Sequence, residues 1–588
     1  MPDELSQALG RIHEAGRKLL AEHLRRRAED DSYQVLDPEV VRQTLLELGA
    51  RLAQQPEVLL REQMAFWQGY AQLWQRSAER FLFGKPVEPV IAPEPGDRRF
   101  KDRQWVENTV FDFVKQCYLL AAQSVASTVA QAGGLDPHTA KKAAFFTRQA
   151  LHAMSPSNFF ATNPQVLQAT VESGGMNLIR GLALALEDLD RNKGRLRPKT
   201  ADLEAFRVGE NLAVTPGKVV FQNELMQLLQ YAPGTPEVRR RPLLIVPPWI
   251  NKYYILDLQP KSSFIRWAVG EGHTVFVISW VNPDAPLAQK RFDDYLLEGP
   301  LAALDAIEQA TGEREVNAVG YCIGGTLLAC ALAYMAARDE RRVAAATLLT
   351  SLLDFSDAGE ISVFIDEAQI GLMERHMERH GYFDGNHMAS AFNLLRENEL
   401  IWHYVVNGYL LGREPMAFDL LYWGMDSTRM PAAMHSFYLR NMYLHNRLKE
   451  PGGITLAGVG IDLRRIAIPL YFLSTSEDHI APWRSTYAGT RLVSGPARFV
   501  LAGAGHNAGV INPPEAKKKY GYWTNADLSQ DPDAWFSAAQ RREGSWWTDW
   551  SEWIGEHAGG TVPARHPGDG ALKPVEDAPG SAVKVRIG

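Results

Sequence analysis

The sequence has few cysteines, and its beginning lacks the apolar stretch that directs secretion. Only 3 cysteines occur among 588 residues, which is too few for a disulfide framework or for a structural zinc site. Residues 1–30 are too charged to contain the apolar segment of a signal peptide. These two deficits predict a protein of the reducing cytoplasm, where thiols stay free.

Long apolar runs, basic stripes and common metal-binding motifs are also missing. The longest run of small apolar residues, 325–337, is shorter than the roughly 18 residues that a membrane-spanning helix needs. The net charge of −7 comes with no stripe of lysine and arginine that would attract nucleic acid. Neither an H-E-x-x-H motif nor an EF-hand loop occurs. We therefore expect no transmembrane segment, no nucleic-acid partner and no metal ion.

The residues that are present predict a globular protein in which the spacing of apolar residues along the chain changes near residue 206. Its hydrophobic fraction of 46% and charged fraction of 22% are typical of globular chains. Residues 1–205 repeat apolar positions every three or four residues, which predicts an all-helical N-terminal domain. Residues 206–588 alternate β-type runs with helical patterns, which predicts an α/β domain with a mostly parallel sheet. The expected strands lie at 218–221, 225–231, 243–246, 274–279, 316–319, 470–473 and 499–501.

Three parts of the α/β region depart from this alternation. Residues 351–466 have helical spacing and many Met, Tyr, Phe and His side chains, so we interpret them as an inserted cap. Their stretch 416–443 could gate substrate, pair with a second subunit or simply form a helical core. From about residue 555 the chain is rich in Gly, Pro and Ala, which predicts an extended or loosely packed tail. Six of the 15 tryptophans lie between 523 and 553, and we expect them to pack a terminal element onto the domain.

One cysteine lies in a pattern typical of a catalytic nucleophile. The run Gly320-Tyr321-Cys322-Ile323-Gly324-Gly325 joins a predicted strand to a predicted helix, as in the nucleophile elbow of α/β hydrolases. Glycines at such a turn let neighbouring backbone approach closely, and the start of the helix favours the reactive thiolate. A buried structural cysteine is the alternative, and it is the interpretation that we prefer for Cys117 and Cys330.

The two partners of such a nucleophile follow in the chain order of the α/β-hydrolase fold, acid before histidine. Asp478 follows the strand-like run 470–473, and His506 follows another run that ends near residue 502. Because the carboxyl ends of parallel strands form one rim, we expect both side chains near Cys322. His506 would take the thiol proton, and Asp478 would orient the imidazole. The neighbouring Glu477 and His479 are alternatives for the acid and the base.

An oxyanion hole needs two backbone N–H donors. Ile323, the residue after the nucleophile, is expected to supply one of them. The other should come from the loop after the run 243–246, which begins with two prolines that cannot donate. Trp249 or Ile250 is therefore the second candidate, although a rigid turn at the end of the strand would explain the same residues.

Several motifs together resemble the polyhydroxyalkanoate synthases. The run 320–325 resembles the lipase-like box of that family, and residues 247–258 resemble a second stretch of it. The resemblance extends from about residue 97 to the tryptophan-rich region near residue 553, and the long helical N-terminal domain is similar to that of the class I, single-subunit enzymes. Further matching motifs lie at 155–159, 477–483, 505–506 and 512–514.

The resemblance implies an acyltransferase that polymerises (R)-3-hydroxyacyl-CoA, with 3-hydroxybutyryl-CoA as the expected substrate, and releases CoA. It implies that Cys322 carries the acyl chain as a thioester, with His506 as base and Asp478 as acid. It also implies a role for Asp478 in activating the 3-hydroxyl group, so two roles of this residue stay open. No cofactor is expected, because CoA is part of the substrate and a product.

The same resemblance implies a cytoplasmic enzyme bound to polyhydroxyalkanoate granules, with the polyester chain and the granule surface as partners. It implies a homodimer, and we expect residues 1–205 to aid dimerisation or granule association. Two other functions stay open. One is a cysteine-dependent thioesterase or acyltransferase of the same fold, and the other is a granule-coating scaffold in which the three site residues are vestigial.

Overall fold

The chain forms two compact units. The fold is that of a computed structural model, which describes residues 33–84, 86–192, 194, 197–514 and 520–587 together with residues 10, 11 and 14. One unit comprises residues 1–202 and 390–416, and the other comprises residues 203–389 and 417–588. We call them the helical unit and the sheet unit. Residues 390–416, the middle of the predicted cap 351–466, therefore belong to the helical unit.

Capping side chains account for where several helices of the helical unit begin. Four helices follow an Asp or Asn whose carboxylate or amide oxygen accepts backbone N–H groups of the first turn. These caps are Asp37, Asn108, Asp136 and Asn163. The helices span Pro38–Ala53, Pro56–Phe83, Gln104–Glu107, Thr109–Ala130, Pro137–Ala153, Pro164–Glu172 and Met176–Arg191.

Residues 390–416 complete the helical unit although they come much later in the chain. The hydroxyl of Tyr409 donates a hydrogen bond to Asp188 Oδ2 at 2.8 Å. A side chain at Gly181 would collide with the backbone carbonyl of Tyr409, so glycine permits this close approach. The segment is wound as π-helical turns at Asn398–Trp402 and Val405–Leu410.

An 11-stranded mixed sheet is the centre of the sheet unit. Its strands are β1 (Gly217–Gln222), β2 (Met226–Tyr231), β3 (Leu243–Val246), β4 (Val275–Trp280), β5 (Val316–Tyr321), β6 (Val343–Leu349), β7 (Leu470–Thr475), β8 (Ala497–Ala502), β9 (Tyr522–Thr524), β10 (Gln540–Arg542) and β11 (Glu576–Asp577). Their spatial order is β10-β9-β8-β7-β6-β5-β3-β4-β2-β1-β11. The six strands from β8 to β4 are parallel to one another, and antiparallel strands flank them on both sides.

Burial explains why the sequence reveals most of these strands. Every residue of β3, β4, β5 and β7 is buried, as expected for parallel strands that helices cover on both faces. Each of the seven predicted runs overlaps a strand of the sheet, so the predicted α/β architecture is confirmed, whereas the expected parallel pairing holds only for the six central strands. Strand β6 was not expected, and neither were the short edge strands β9, β10 and β11.

Helices cover the sheet and also connect β6 to β7. Those associated with the sheet span Phe264–Gly270, Phe292–Leu296, Ala302–Thr311, Ile323–Ala337, Trp483–Ala488, Pro532–Ala538 and Trp546–Glu556. Those between β6 and β7 span Glu367–His380, Gly385–Leu395, Asp419–Met425 and Ala432–Tyr438, followed by a π-helical turn at Leu439–Leu444. Among the helices of the described residues, none combines the length and the apolar character needed to cross a bilayer.

The C-terminal part of the chain is extended but firmly paired. Strand β11 pairs with β1, and Thr561–Pro563 pairs with Glu237–Arg239. The expectation for the tryptophans is confirmed, because the most deeply buried side chains include Trp535, Trp546, Trp547 and Trp550. The Nε1 of Trp550 donates to Thr347 Oγ1 of β6 at 2.8 Å.

Candidate active site

Cys322 lies on a sharp turn between β5 and the helix Ile323–Ala337. Its backbone has φ 54° and ψ −125°, a strained combination for a residue that carries a Cβ. The amide of Cys322 donates to the carbonyl of Leu349 on β6 at 2.9 Å, which holds the turn in place. The side chain is partly accessible, whereas Cys330 in the following helix is fully buried.

Each glycine of the elbow is required by a close approach. A Cβ at Gly320 would collide with Gly325, and a Cβ at Gly325 would collide with the Ser351 side chain. A Cβ at Gly324 would collide with the carbonyl of Val246 at the end of β3. The glycines therefore let the start of the helix lie directly against β6 and against the loop after β3.

His506 and Asp478 form a buried hydrogen-bonded pair. His506 Nδ1 lies 2.6 Å from Asp478 Oδ2, and both residues are buried. The other oxygen, Asp478 Oδ1, accepts the backbone N–H groups of Ile480 at 2.8 Å and Ala481 at 2.9 Å. The carboxylate is thus fixed on both sides. The neighbouring Glu477 side chain is exposed, so of these two carboxylates it is Asp478 that meets the imidazole.

The electrostatics of His506 favour its protonated form. Burial alone would lower its pKa, but the Asp478 carboxylate and a hydrogen bond with the Cys322 sulfur outweigh burial and raise the pKa to about 10. A histidine with an ordinary pKa would be mostly neutral at pH 7. The arrangement therefore favours a positively charged imidazole next to the Cys322 sulfur.

Two buried tyrosines of the segment before β7 lie near Cys322, and the sequence did not single them out. Burial raises the pKa of both Tyr438 and Tyr443, and the charge of Cys322 raises each further, so both hydroxyl groups lie within electrostatic range of the sulfur. Their rings are 5.5 Å apart. The only signal for them was their place in the Met- and aromatic-rich stretch 416–443.

The two candidate sources of oxyanion donors also lie close together. Ile323 begins the helix after the nucleophile, so its N–H lacks an intrahelical acceptor. The loop after β3 is fixed by Thr428, whose hydroxyl donates to the carbonyl of Trp249 and whose N–H donates to the carbonyl of Ile250 at 3.2 Å. Thr428 thus fixes the backbone of Trp249 and Ile250, the two residues predicted as the second donor.

A buried ion pair, which the sequence analysis did not predict, holds the same loop. Lys252 Nζ lies 2.7 Å from Asp426 Oδ1, and both side chains are 3% exposed. Burial lowers the pKa of Lys252, while Asp426 opposes that shift. The hydroxyl of Tyr254 donates to the other oxygen of Asp426 at 2.9 Å. Within the described ranges, no three His, Cys, Asp or Glu side chains are grouped as metal ligands.

The topology and the elbow define the class of protein. The family model for the α/β-hydrolase fold matches residues 241–513. Solved structures with similar architecture include a hydrolase from Pseudomonas aeruginosa PA01, with 15% identity over 50% of this chain and 92% of that one and a TM-score of 0.31. Another is the monoacylglycerol lipase of Paleococcus ferrophilus, with 11% identity over 56% and 99% of the two chains and a TM-score of 0.30. The α/β-hydrolase fold of the sheet unit rests on the family model and on the order of its strands.

The particular family follows from closer relatives. The family model described as the N-terminus of poly-beta-hydroxybutyrate polymerase matches residues 96–268. The poly(3-hydroxyalkanoate) polymerase of Methylorubrum extorquens is 50% identical over 92% of this chain and 89% of its own length. The polymerase subunit of Cupriavidus necator is 44% identical over 89% and 88%. The chain belongs to the poly(3-hydroxyalkanoate) polymerase family.

Proposed function

We propose that the protein polymerises (R)-3-hydroxyacyl-CoA, with 3-hydroxybutyryl-CoA as the preferred substrate, and releases CoA through a covalent thioester on Cys322. The observation that carries this proposal is the cysteine on a strained elbow beside a histidine that Asp478 holds in its charged form. Relatives that are named as poly(3-hydroxyalkanoate) polymerases and are 44% to 50% identical support the same activity.

Loading of the enzyme is a thioester exchange. Transfer of the Cys322 proton to His506 forms the imidazolium that Asp478 stabilises, and the thiolate attacks the carbonyl carbon of the acyl-CoA. The oxyanion of the tetrahedral intermediate is stabilised by the N–H of Ile323 and by that of Trp249 or Ile250. The bond to the CoA sulfur then breaks, and His506 returns the proton to the leaving thiolate. Because one thioester replaces another, the acyl group stays activated.

Chain extension converts the thioester into an oxoester. The 3-hydroxyl oxygen of a second unit attacks the carbonyl carbon on Cys322, its proton passes to the catalytic base, and the cysteine leaves as a thiolate. Both oxygens of Asp478 already accept hydrogen bonds, from two backbone N–H groups and from His506, which favours an orienting role for Asp478 and leaves proton transfer to His506. An oxoester is more stable than a thioester, so this step drives elongation.

The intermediate survives only where water is kept away from it. The buried tyrosines Tyr438 and Tyr443 lie close enough to Cys322 that its charge raises their pKa values. Buried aromatic side chains near the sulfur exclude water and so disfavour hydrolysis of the acyl-enzyme. Family membership does not favour the thioesterase.

The proposal also covers where the protein is located and how its subunits assemble. We assign granule association and dimerisation to the helical region 1–205, in a protein of the cytoplasm, and catalysis to residues 206–588. The helix Pro56–Phe83 exposes Leu60, Trp67, Trp74 and Phe81 at intervals of seven residues, with exposed fractions of 59%, 55%, 62% and 74%. Such an apolar stripe suits contact with an aliphatic polyester or a second subunit.

The test is the product formed from 3-hydroxybutyryl-CoA. Purified protein should release CoA and deposit insoluble polyester, and Cys322→Ala should do neither. The matched control is Cys117→Ala, a half-buried cysteine of the helical unit, which should retain the activity. Free 3-hydroxybutyrate as the dominant product would instead make the protein a thioesterase, and substantial turnover by Cys322→Ala would remove Cys322 from its role.

A further inference from the structure

The loop after β3 lies directly against the turn that carries Cys322. A Cβ at Gly324, in the first turn of the helix after the nucleophile, would collide with the carbonyl of Pro247 at the start of this loop. Trp249 and Ile250, the candidates for the second oxyanion donor, follow in the same loop. Whatever fixes the backbone of the loop therefore bears on the proposed reaction.

A segment between β6 and β7, residues 423–428, holds this loop by its carbonyl groups. The hydroxyl of Thr428 donates to the carbonyl of Trp249, and its N–H donates to the carbonyl of Ile250 at 3.2 Å. The carbonyl of Trp249 and the N–H of Ile250 belong to one planar trans peptide unit, in which the two groups point in opposite directions. A hydrogen bond that fixes this carbonyl therefore also fixes the direction of the Ile250 N–H.

The buried ion pair of Lys252 and Asp426 joins the same loop to the same segment. The Lys252 ammonium lies 2.7 Å from Asp426 Oδ1, and both side chains are 3% exposed. The Nε1 of Trp423 donates to the carbonyl of Lys252 at 2.7 Å, and the hydroxyl of Tyr254 donates to Asp426 Oδ2 at 2.9 Å. Arg586 lies farther from Asp426, at 3.9 Å, and is 45% exposed. Lys252 is therefore the nearer counter-ion of this carboxylate.

A buried ion pair of this kind contributes little net stability. Taking two charges out of water costs free energy that their mutual attraction roughly offsets, so a well-packed pair of apolar side chains would stabilise the fold as well. An ion pair differs from an apolar contact in its geometry, because the ammonium and the carboxylate must meet at hydrogen-bonding distance. Lys252 and Asp426 thus restrict how the loop after β3 lies on the segment 423–428.

We propose that Lys252 and Asp426 are positioning residues for acyl transfer to Cys322, and that their ion pair holds the loop after β3 so that its backbone donor meets the oxyanion. The inference rests on the proposed function, because it takes attack of Cys322 on a thioester carbonyl as given. In this role neither side chain touches the reacting atoms, and both act through the backbone of Trp249 and Ile250. The rate responds to their loss because a donor stabilises the oxyanion only within about 2.7–3.1 Å of it.

The test is Asp426→Asn, which keeps the shape of the side chain and removes its charge. In the release of CoA from 3-hydroxybutyryl-CoA, kcat should fall at least tenfold and KM should stay within threefold, since loss of one oxyanion donor costs about 10²- to 10³-fold in kcat. Alkylation of Cys322 by iodoacetamide forms no oxyanion, so its rate and its pH profile, followed on the peptide that contains Cys322, should stay within twofold of wild type. Unchanged kcat, or an equal loss in both reactions, would overturn the proposal.

The matched control is Asp112→Asn in the helical unit. Asp112 Oδ1 lies 2.8 Å from the ammonium of Lys115, and the two side chains are 12% and 5% exposed. This substitution also deprives a buried lysine of a charged partner, so Tm should fall in both variants. The control should nevertheless keep kcat within twofold of wild type. A tenfold loss of kcat in the control would overturn the proposal, because loss of any buried charge would then have the same effect.

A double variant separates positioning from stability. Lys252→Met/Asp426→Asn removes both charges of the pair and leaves neither partner unpaired, so Tm should recover at least half of the loss seen in Asp426→Asn. Its kcat should stay at least tenfold below wild type, and recovery of kcat together with Tm would overturn the proposal. No release of CoA by wild-type protein would contradict the proposed function itself. Free 3-hydroxybutyrate in place of polymer would contradict only the polymerase activity, because release of CoA would still compare the variants.

Discussion

The two units of the molecule differ in how far their apolar side chains are buried. In the sheet unit the central strands are buried along their full length, and His506 and Asp478 are buried beside them. In the helical unit the helix Pro56–Phe83 leaves Trp67 and Trp74 55% and 62% exposed. The first pattern holds the proposed reacting groups in a fixed, buried geometry, and the second leaves an exposed apolar surface.

From this difference we expect that substitutions in the sheet unit change the rate of turnover and that substitutions on the exposed helix change assembly. A fixed site loses rate when one hydrogen bond is changed, because its function depends on the orientation of a few atoms. An exposed apolar stripe acts through the surface area that it offers to a partner. Single substitutions there should therefore weaken association with that partner and leave the rate of the chemical step unaffected. Variants in the two units should therefore separate turnover from location.

The largest effect should follow from Asp478→Asn in the sheet unit. The amide cannot hold the imidazole in the same tautomer or stabilise its charge, so kcat should fall by about 10³- to 10⁴-fold. CoA release from 3-hydroxybutyryl-CoA, followed with a thiol reagent, measures this. Glu477→Gln changes the exposed neighbouring carboxylate and should keep activity within a few-fold. If Asp478→Asn kept more than a tenth of the wild-type rate, the orienting role would be wrong.

A smaller effect concerns stability and pH. The folded protein raises the pKa of His506 to about 10, above its ordinary value of about 6.5. The stabilisation from this histidine is then fully present below about pH 6.5 and is lost as pH rises toward 10, with a slope of at most about 1.4 kcal/mol per pH unit.

Urea unfolding of wild type and of His506→Gln at several pH values measures that dependence. The free energy of unfolding of wild type should fall more steeply between pH 7 and 10 than that of the variant. Parallel curves for the two proteins would show that the imidazolium is not stabilised in the folded state.

The smallest effect on turnover should come from the helical unit. Trp67→Ala/Trp74→Ala removes two aromatic rings from the exposed stripe, so kcat with soluble 3-hydroxybutyryl-CoA should stay within twofold. The fraction of protein that sediments with polyester granules, or the fraction that is dimeric, should fall. The control Val171→Ala lies on another helix of this unit and is 83% exposed. Unchanged sedimentation and unchanged oligomeric state would contradict an adhesive role for the stripe.

Sequence patterns predicted the strands whose burial is continuous. The run Leu243–Val246 coincides with β3, and the other predicted runs overlap their strands. Strand β6 was not predicted because its run Val-Ala-Ala-Ala-Thr-Leu-Leu contains three alanines, which favour helix when considered alone. Its place between β5 and β7 overrides that local preference. The edge strands β9 to β11 are two or three residues long, too short to show a period.

Chain order predicted the residues that meet at the site, and it could not predict their supports. Cys322, Asp478 and His506 each follow a strand, so the fold brings them to one edge. The Lys252–Asp426 ion pair joins residues 174 positions apart, and no motif or period relates the stretch 247–258 to the segment that holds Asp426. The association of residues 390–416 with the helical unit likewise depends on a long-range approach at Gly181.

The most direct test of the account is to find the acyl group on the enzyme. Protein incubated briefly with 3-hydroxybutyryl-CoA is quenched in acid, digested, and its peptides are examined by mass spectrometry. The account predicts a hydroxybutyryl mass, or a short oligomer of it, on the peptide that contains Cys322, and none on the peptides of Cys117 and Cys330. Polymer that accumulates while Cys322 stays unmodified at every time point, or an acyl group on another residue, would contradict it.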